Sequence, residues 1–114
     1  MISWQHLEEE HQIQQLISSS STQPVLIFKH STTCSISHMA KLRLEENWDF
    51  SNIEAWYLDL KRFRSLSDMV AEIFSVHHES PQVLLIDQGE CIYDASHFDI
   101  SCTEIEEALE YHQR

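Results

Sequence analysis

A chain of 114 residues is long enough for one hydrophobic core, and its single glycine and two prolines exclude a Gly-rich phosphate loop and any Pro/Gly-rich linker. Nineteen acidic against seven basic side chains give a net charge of −12, which argues against general affinity for nucleic acid or an anionic membrane. Three widely spaced cysteines make no disulfide framework, no apolar run approaches a membrane span, and Met1-Ile2-Ser3-Trp4-Gln5 lacks the character of a signal peptide, so the expected setting is a reducing cytoplasm.

Taken in order, Trp4, Leu7, Ile13, Leu16 and Ile17 fall partly on a helical period with Glu8, Glu9 and Glu10 opposite, which predicts an amphipathic helix over 3–19. The serine-rich segment 18–24 closes it. Val25-Leu26-Ile27-Phe28 is a short continuous apolar run, the pattern of a central strand buried on both faces. A polar turn, Lys29 to Thr33, leads to Cys34. Ile36, Met39, Ala40, Leu44 and Trp48 then recur at spacings of three and four and predict a helix over 35–47.

Residues 53–60 read as a second strand, and a strand–helix–strand unit implies a right-handed crossover with parallel strands. Cys34 and the residues after Leu60 therefore share one sheet edge, where open α/β folds bind ligands. Lys61-Arg62-Phe63-Arg64 follows at once. Ser65 with Asp68 resembles a helix cap, and Leu66, Met69, Val70, Ile73 and Phe74 predict a helix ending near His77. His78-Glu79-Ser80-Pro81 is a turn, Val83 to Ile86 a strand, Asp87-Gln88-Gly89-Glu90 a hairpin turn and Cys91-Ile92-Tyr93 its antiparallel partner. Ser101-Cys102-Thr103-Glu104 matches a capping box that opens a closing helix through His112. The order is αβαβαββα, a single α/β domain over 1–114 with a central four-stranded mixed sheet flanked by helices.

Cys34 is the candidate nucleophile. A cysteine at the first turn of a helix meets unpaired backbone N–H groups and the positive end of the helix dipole, both of which favour thiolate. The competing reading is a small buried residue, a common place for a free cysteine. Cys91 falls in a strand and is read as structural. Cys102 also begins a helix, but no spacing in the sequence brings it within the roughly 7 Å Cα separation that a disulfide with Cys34 requires. Eight histidines raise the question of a metal, yet neither C-x-x-C nor H-E-x-x-H spacing occurs, and no metal ligand is assigned. His30 at the strand end is a candidate for stabilising the thiolate; the alternative is a core-edge residue.

The element order, with a cysteine after the first long strand and a proline opening the third, resembles the thioredoxin/glutaredoxin fold. Thr33-Cys34-Ser35-Ile36-Ser37, His78-Glu79-Ser80-Pro81-Gln82 and Ala95-Ser96-His97-Phe98-Asp99-Ile100-Ser101 resemble the monothiol bacilliredoxins, bacterial proteins linked to the low-molecular-weight thiol bacillithiol. The resemblance covers nearly the whole chain. Proline is common after the family's active cysteine, where this chain has Ser35, a departure that bears on redox potential more than on fold.

The resemblance implies a monothiol thiol–disulfide oxidoreductase. Ser37 stands where a C-x-x-C motif carries its resolving cysteine, so Cys34 can form a mixed disulfide but cannot close a ring with that position. The implied reaction removes a small thiol from client proteins through Cys34, with S-thiolated proteins, a small anionic thiol as co-substrate and a downstream reductant as partners, and no tightly bound cofactor. It also implies a cis bond at Pro81, with the backbone of Ser80 facing the bound thiol. Thr33, Ser37, Ser80, Pro81 and a cationic edge of Lys61, Arg62 and Arg64 are the expected substrate contacts, the cations binding carboxylates and favouring the thiolate; the competing reading of Lys61 and Arg62 is an ordinary solvated loop on an acidic protein. The alternatives are a glutaredoxin-like iron–sulfur or thiol carrier, whose usual Cys-Gly-Phe-Ser is not matched here, and a non-catalytic thioredoxin-like binding module.

Overall fold

The computed structural model describes residues 1–113. In chain order the elements are β1 (Gln5–His6), α1 (His11–Ser19), β2 (Val25–His30), α2 (Ser35–Asn47), β3 (Glu54–Asp59), α3 (Arg64–Ile73), β4 (Gln82–Asp87), β5 (Glu90–Ser96) and α4 (Cys102–His112), with a single 3-10 turn at His97–Asp99. The sheet order is β1-β3-β2-β4-β5. β2 runs parallel to β3 and antiparallel to β4, and β4 and β5 form the hairpin.

The sheet has five strands, not four. Gln5 and His6, expected within the first helix, pair in parallel with Trp56 and Tyr57, and the Leu7 N–H continues the ladder to the Tyr57 carbonyl at 2.9 Å. The three-residue spacing of Trp4 and Leu7 imitates a helical period. In an extended chain the same spacing sends the two side chains to opposite faces, and here Trp4 packs with Phe28 and Tyr57 while Leu7 lies with Ile13 and Leu16. The helix waits until His11, with the Glu8 and Glu9 N–H groups both donating to Gln12 Oε1.

β2 is buried throughout and divides the core. Val25 and Ile27 face α1 and α3, among Leu16, Trp56, Leu58, Leu66, Val70 and Leu84. Leu26 and Phe28 face α2 and α4, among Ala40, Leu44, Val83, Leu85, Ile105 and Leu109. This alternation continues past the apolar run: Lys29 and His30, assigned from sequence to a polar turn, complete the strand and are both buried.

Helix boundaries follow their caps. The Ser101 side chain accepts from the Glu104 N–H at 3.1 Å, as the capping box predicts. The Ser65 cap does not form: α3 begins one residue earlier, and Asp68 instead lies 3.4 Å from Arg64 one turn away. α3 also stops at Ile73, short of His77, because the chain turns through Ser75 at φ 55°. The hairpin turn at Gln88-Gly89 has positive φ at both residues, 53° and 79°, the type I′ pattern that suits glycine at its second position.

Candidate active site

Three connections meet at one edge of the sheet. The register pairs His30 with Asp59 and Lys29 with Gln82, so the chain leaving β2, the chain leaving β3 and the chain entering β4 all lie there. They carry Cys34, Lys61 and Ser80–Pro81 respectively.

Cys34 is the residue at which an extended chain turns into a helix. Its φ and ψ are −109° and 122°, α2 starts at the next residue, and no side chain caps that start. The Cys34 N–H donates to the Ser31 carbonyl at 3.2 Å, and its own carbonyl accepts from the His38 N–H at 3.1 Å. The partly exposed thiol thus stands at the end of a 13-residue helix where backbone donors are unpaired. On the other side of α2, Arg43 donates to the Phe98 and Ile100 carbonyls and ties the helix to the segment after β5.

The Ser80–Pro81 bond is cis, as expected. The Pro81 carbonyl accepts from the His97 N–H at 3.0 Å, and Glu79 N–H and the His77 carbonyl are held by the side chain of Gln82. Among the described residues, Ser80 Oγ is the one buried side-chain polar atom with no hydrogen-bond partner.

The cationic segment divides. Lys61 Nζ donates to Thr33 Oγ1 at 3.1 Å and reaches the loop of Cys34 directly. The Arg62 guanidinium lies 5.1 Å from the Phe63 ring centre, and Arg64 Nε is 3.4 Å from Asp68 in an exposed pair. Lys61 and Thr33 are therefore brought together beside Cys34, whereas the two arginines are turned to their own neighbours.

Ser37, expected among the substrate contacts, is completely buried. Its Oγ accepts from the Ser31 N–H at 3.0 Å and lies 2.7 Å from His30 Nδ1, so it is committed beneath the loop. His30 is no cation. Burial, reinforced by nearby His38 and Lys41 against the weaker pull of Asp59 and Glu45, lowers its pKa to about 4, so it is neutral at physiological pH. Of the two readings of His30, its place at the buried end of β2 matches the core-edge residue and not the thiolate-stabilising charge.

The buried charge lies on the opposite face. Lys29 Nζ donates to the Ser67 carbonyl at 3.0 Å and faces His78 Nδ1 at 3.3 Å. Desolvation brings its pKa down to about 8, with Asp68 opposing and Arg64 adding to the effect. Desolvation and Lys29 also lower His78. Sequence reasoning missed the roles of both β2 residues; extending the period-two alternation of Val25 to Phe28 by two positions places Lys29 and His30 on opposite buried faces.

Burial raises the Cys91 thiol to about 11, and its Sγ lies 3.3 Å from the Tyr93 carbonyl. Cys102 does open α4, but burial against α2 raises its pKa, and its Sγ contacts the Leu44 carbonyl at 3.6 Å. No group of three His, Cys, Asp or Glu side chains among the described residues is placed to hold a metal ion. Nor is any described helix long and apolar enough to cross a membrane.

Residues 5–105 match the family described as monothiol bacilliredoxin BrxC, a span that includes the Cys34, Ser80–Pro81 and His97 segments. The chain belongs to the monothiol bacilliredoxin family. The fold is that of thioredoxin. A solved structure described as a thioredoxin-fold protein proposed to be an oxidoreductase is 31% identical, with 93% of each chain covered and a TM-score of 0.79. Thioredoxin from Malassezia sympodialis (15% identity, 100% of this chain and 94% of that one, TM-score 0.73) and from Fasciola hepatica (16%, 95% and 98%, TM-score 0.71) share the architecture. Family membership and the oxidoreductase neighbour together support a thiol redox role for this bacilliredoxin.

Proposed function

We propose that the protein removes a low-molecular-weight thiol, bacillithiol in the first instance, from mixed disulfides on client proteins by single-thiol exchange through Cys34. The Cys34 thiolate attacks the small-thiol sulfur of the mixed disulfide. A new bond forms between Cys34 and the small thiol as the old S–S bond breaks, and the client sulfur leaves as thiolate and takes a proton from water. A second small thiol or a reducing protein then attacks the adduct and regenerates Cys34.

The observation that carries this reading is the contrast among the cysteines. Cys34 and Cys102 both stand at helix starts, but Cys34 lies on the loop that Lys61 reaches, and the position three residues after it is a buried serine engaged by two neighbours. Cys91 and Cys102 are pushed toward the protonated form by burial. Thr33 and Lys61 are assigned to the small thiol, Lys61 taking a carboxylate. Arg62 and Arg64 extend the same cationic edge, and the exposed pair of Arg64 with Asp68 is weak enough for an incoming carboxylate to replace. Ser80 and Pro81 supply the opposite wall, with Ser80 backbone groups pairing with the bound thiol. The setting is a reducing compartment such as the cytoplasm.

The test is transfer of label. A bacillithiolated client protein incubated with wild type is expected to lose its adduct while Cys34 gains it, as read by intact mass. Equal removal by Cys34→Ser would refute the assignment. Binding of the client without loss of its adduct would favour a non-catalytic binding module instead.

A further inference from the structure

We infer that His30 is a positioning residue for the exchange: its Nδ1, as acceptor of the Ser37 hydroxyl, locks the loop that carries Cys34 onto the first turn of α2. Ser37 Oγ accepts the Ser31 N–H at 3.0 Å, and because the side chain is completely buried its own hydrogen also needs an acceptor. In this buried site the acceptor within reach is His30 Nδ1, 2.7 Å away. The imidazole must then carry its proton on Nε2, which agrees with a ring that burial keeps neutral. The ring itself is held by packing, with centroids 4.9 Å from His38, 5.6 Å from Phe28 and 5.6 Å from Tyr57.

The bond matters because of what it brackets. Ser31 and Ser37 lie on either side of Cys34, and the Cys34 N–H donates back to the Ser31 carbonyl. Removing the acceptor leaves the buried Ser37 hydroxyl without a place for its hydrogen, and a buried unpaired donor is costly enough that the hydroxyl has to turn. Turning it releases the Ser31 N–H and with it the fixed start of the loop. His30 thereby acts on the reaction through geometry, not charge.

The inference rests on the exchange reading, so its test has one arm independent of any physiological thiol. The rate of Cys34 alkylation by iodoacetamide, followed by peptide mass, is compared for wild type, His30→Leu, His30→Asn, Ser37→Ala and the Leu/Ala double variant. Asparagine places an acceptor near the position of Nδ1; leucine does not. His30→Leu and Ser37→Ala should each slow Cys34 alkylation about tenfold, within the range a small misplacement can cause. The double variant should be no slower than either single one, because both remove the same bond, and His30→Asn should stay within about threefold of wild type. In client-protein exchange His30→Leu and Ser37→Ala should lose kcat with KM unchanged, while His30→Asn keeps most of its kcat. Ser37→Ala removes one oxygen and keeps the proposal testable should His30→Leu fail to fold. Wild-type alkylation rates in Ser37→Ala, or a double variant slowed by the product of the singles, would overturn it. If alkylation follows the expected pattern while wild type fails to accept a bacillithiol adduct, the function reading fails and the positioning role stands.

Discussion

Lys29 and His30 are consecutive, both are basic residue types, both are completely or almost completely buried, and burial lowers both pKa values, yet near pH 7 they end in opposite charge states. Lys29 faces α3 and the segment leading to Pro81; its ammonium has the Ser67 carbonyl and His78 as partners and the field of Asp68 nearby, and it titrates at about 8. His30 faces α2 and the Cys34 loop; the Ser37 side chain is its polar partner, Lys41 opposes its protonation while Asp59 and Glu45 favour it, and it titrates at about 4. The difference shows that burial alone does not decide the charge state. Desolvation is the largest cause at both sites, so what decides it is the starting point: an ammonium that begins at 10.5 stays charged after the shift, and an imidazole that begins at 6.5 is left neutral. Near pH 7 the positive charge beneath the site therefore lies under the Ser80–Pro81 wall, and the Cys34 wall is held by a neutral hydrogen bond.

The largest expected effect comes from changing what His30 holds. Ser37→Cys restores the C-x-x-C spacing and should convert the site from mixed-disulfide formation to ring closure. Oxidation of this variant should join Cys34 to the introduced thiol in a disulfide visible by peptide mass; an oxidised variant with both thiols still open to alkylation would mean that the loop is not held as described.

Next come two pH windows, of about equal size. Lys29 has a folded pKa below its ordinary 10.5, so below about 8 it is charged in both states and its desolvation penalty is fully present; between about 8 and 10.5 the unfolded chain binds the extra proton and stability rises with pH. Denaturant unfolding of wild type relative to Lys29→Met should gain about 3 kcal/mol across that window. His30, lowered from 6.5 to about 4, gives an acid window instead: stability relative to His30→Asn should fall by about 3 kcal/mol as pH drops from 6.5 through 4. Equal pH dependence of variant and wild type in either window would mean that the residue is not desolvated as described.

The smallest effect is at the surface. Lys61→Ala should raise the KM for the small thiol about threefold with kcat little changed, and Arg64→Ala should do less, since exposed charge pairs contribute little. A larger effect for Arg64 would show that it, not Lys61, reaches the thiol.

Much of this was legible in the sequence. The apolar runs 25–28 and 83–86, the α2 periodicity and the Ser101 capping box predicted their elements, and local sequence around Cys34, Pro81 and His97 led to the family. Edge strand β1 was not legible, because two residues joined to the sheet through β3 carry no pattern of their own and Trp4 and Leu7 imitate a helix. Lys29 and His30 were hidden for a different reason. Basic side chains after an apolar run look like the start of a loop, and only tertiary contacts from α2, α3 and the pre-Pro81 segment make their burial tolerable.

The central claim is that exchange uses one thiol and no internal partner. It is tested most directly by trapping a single turnover with a bacillithiolated client, in the absence of any second thiol or reductant, and mapping every cysteine by peptide mass. The expected result is a bacillithiol adduct accumulating on Cys34, with Cys91 and Cys102 still free. A Cys34–Cys102 or Cys34–Cys91 disulfide, with the small thiol released to solution, would contradict it.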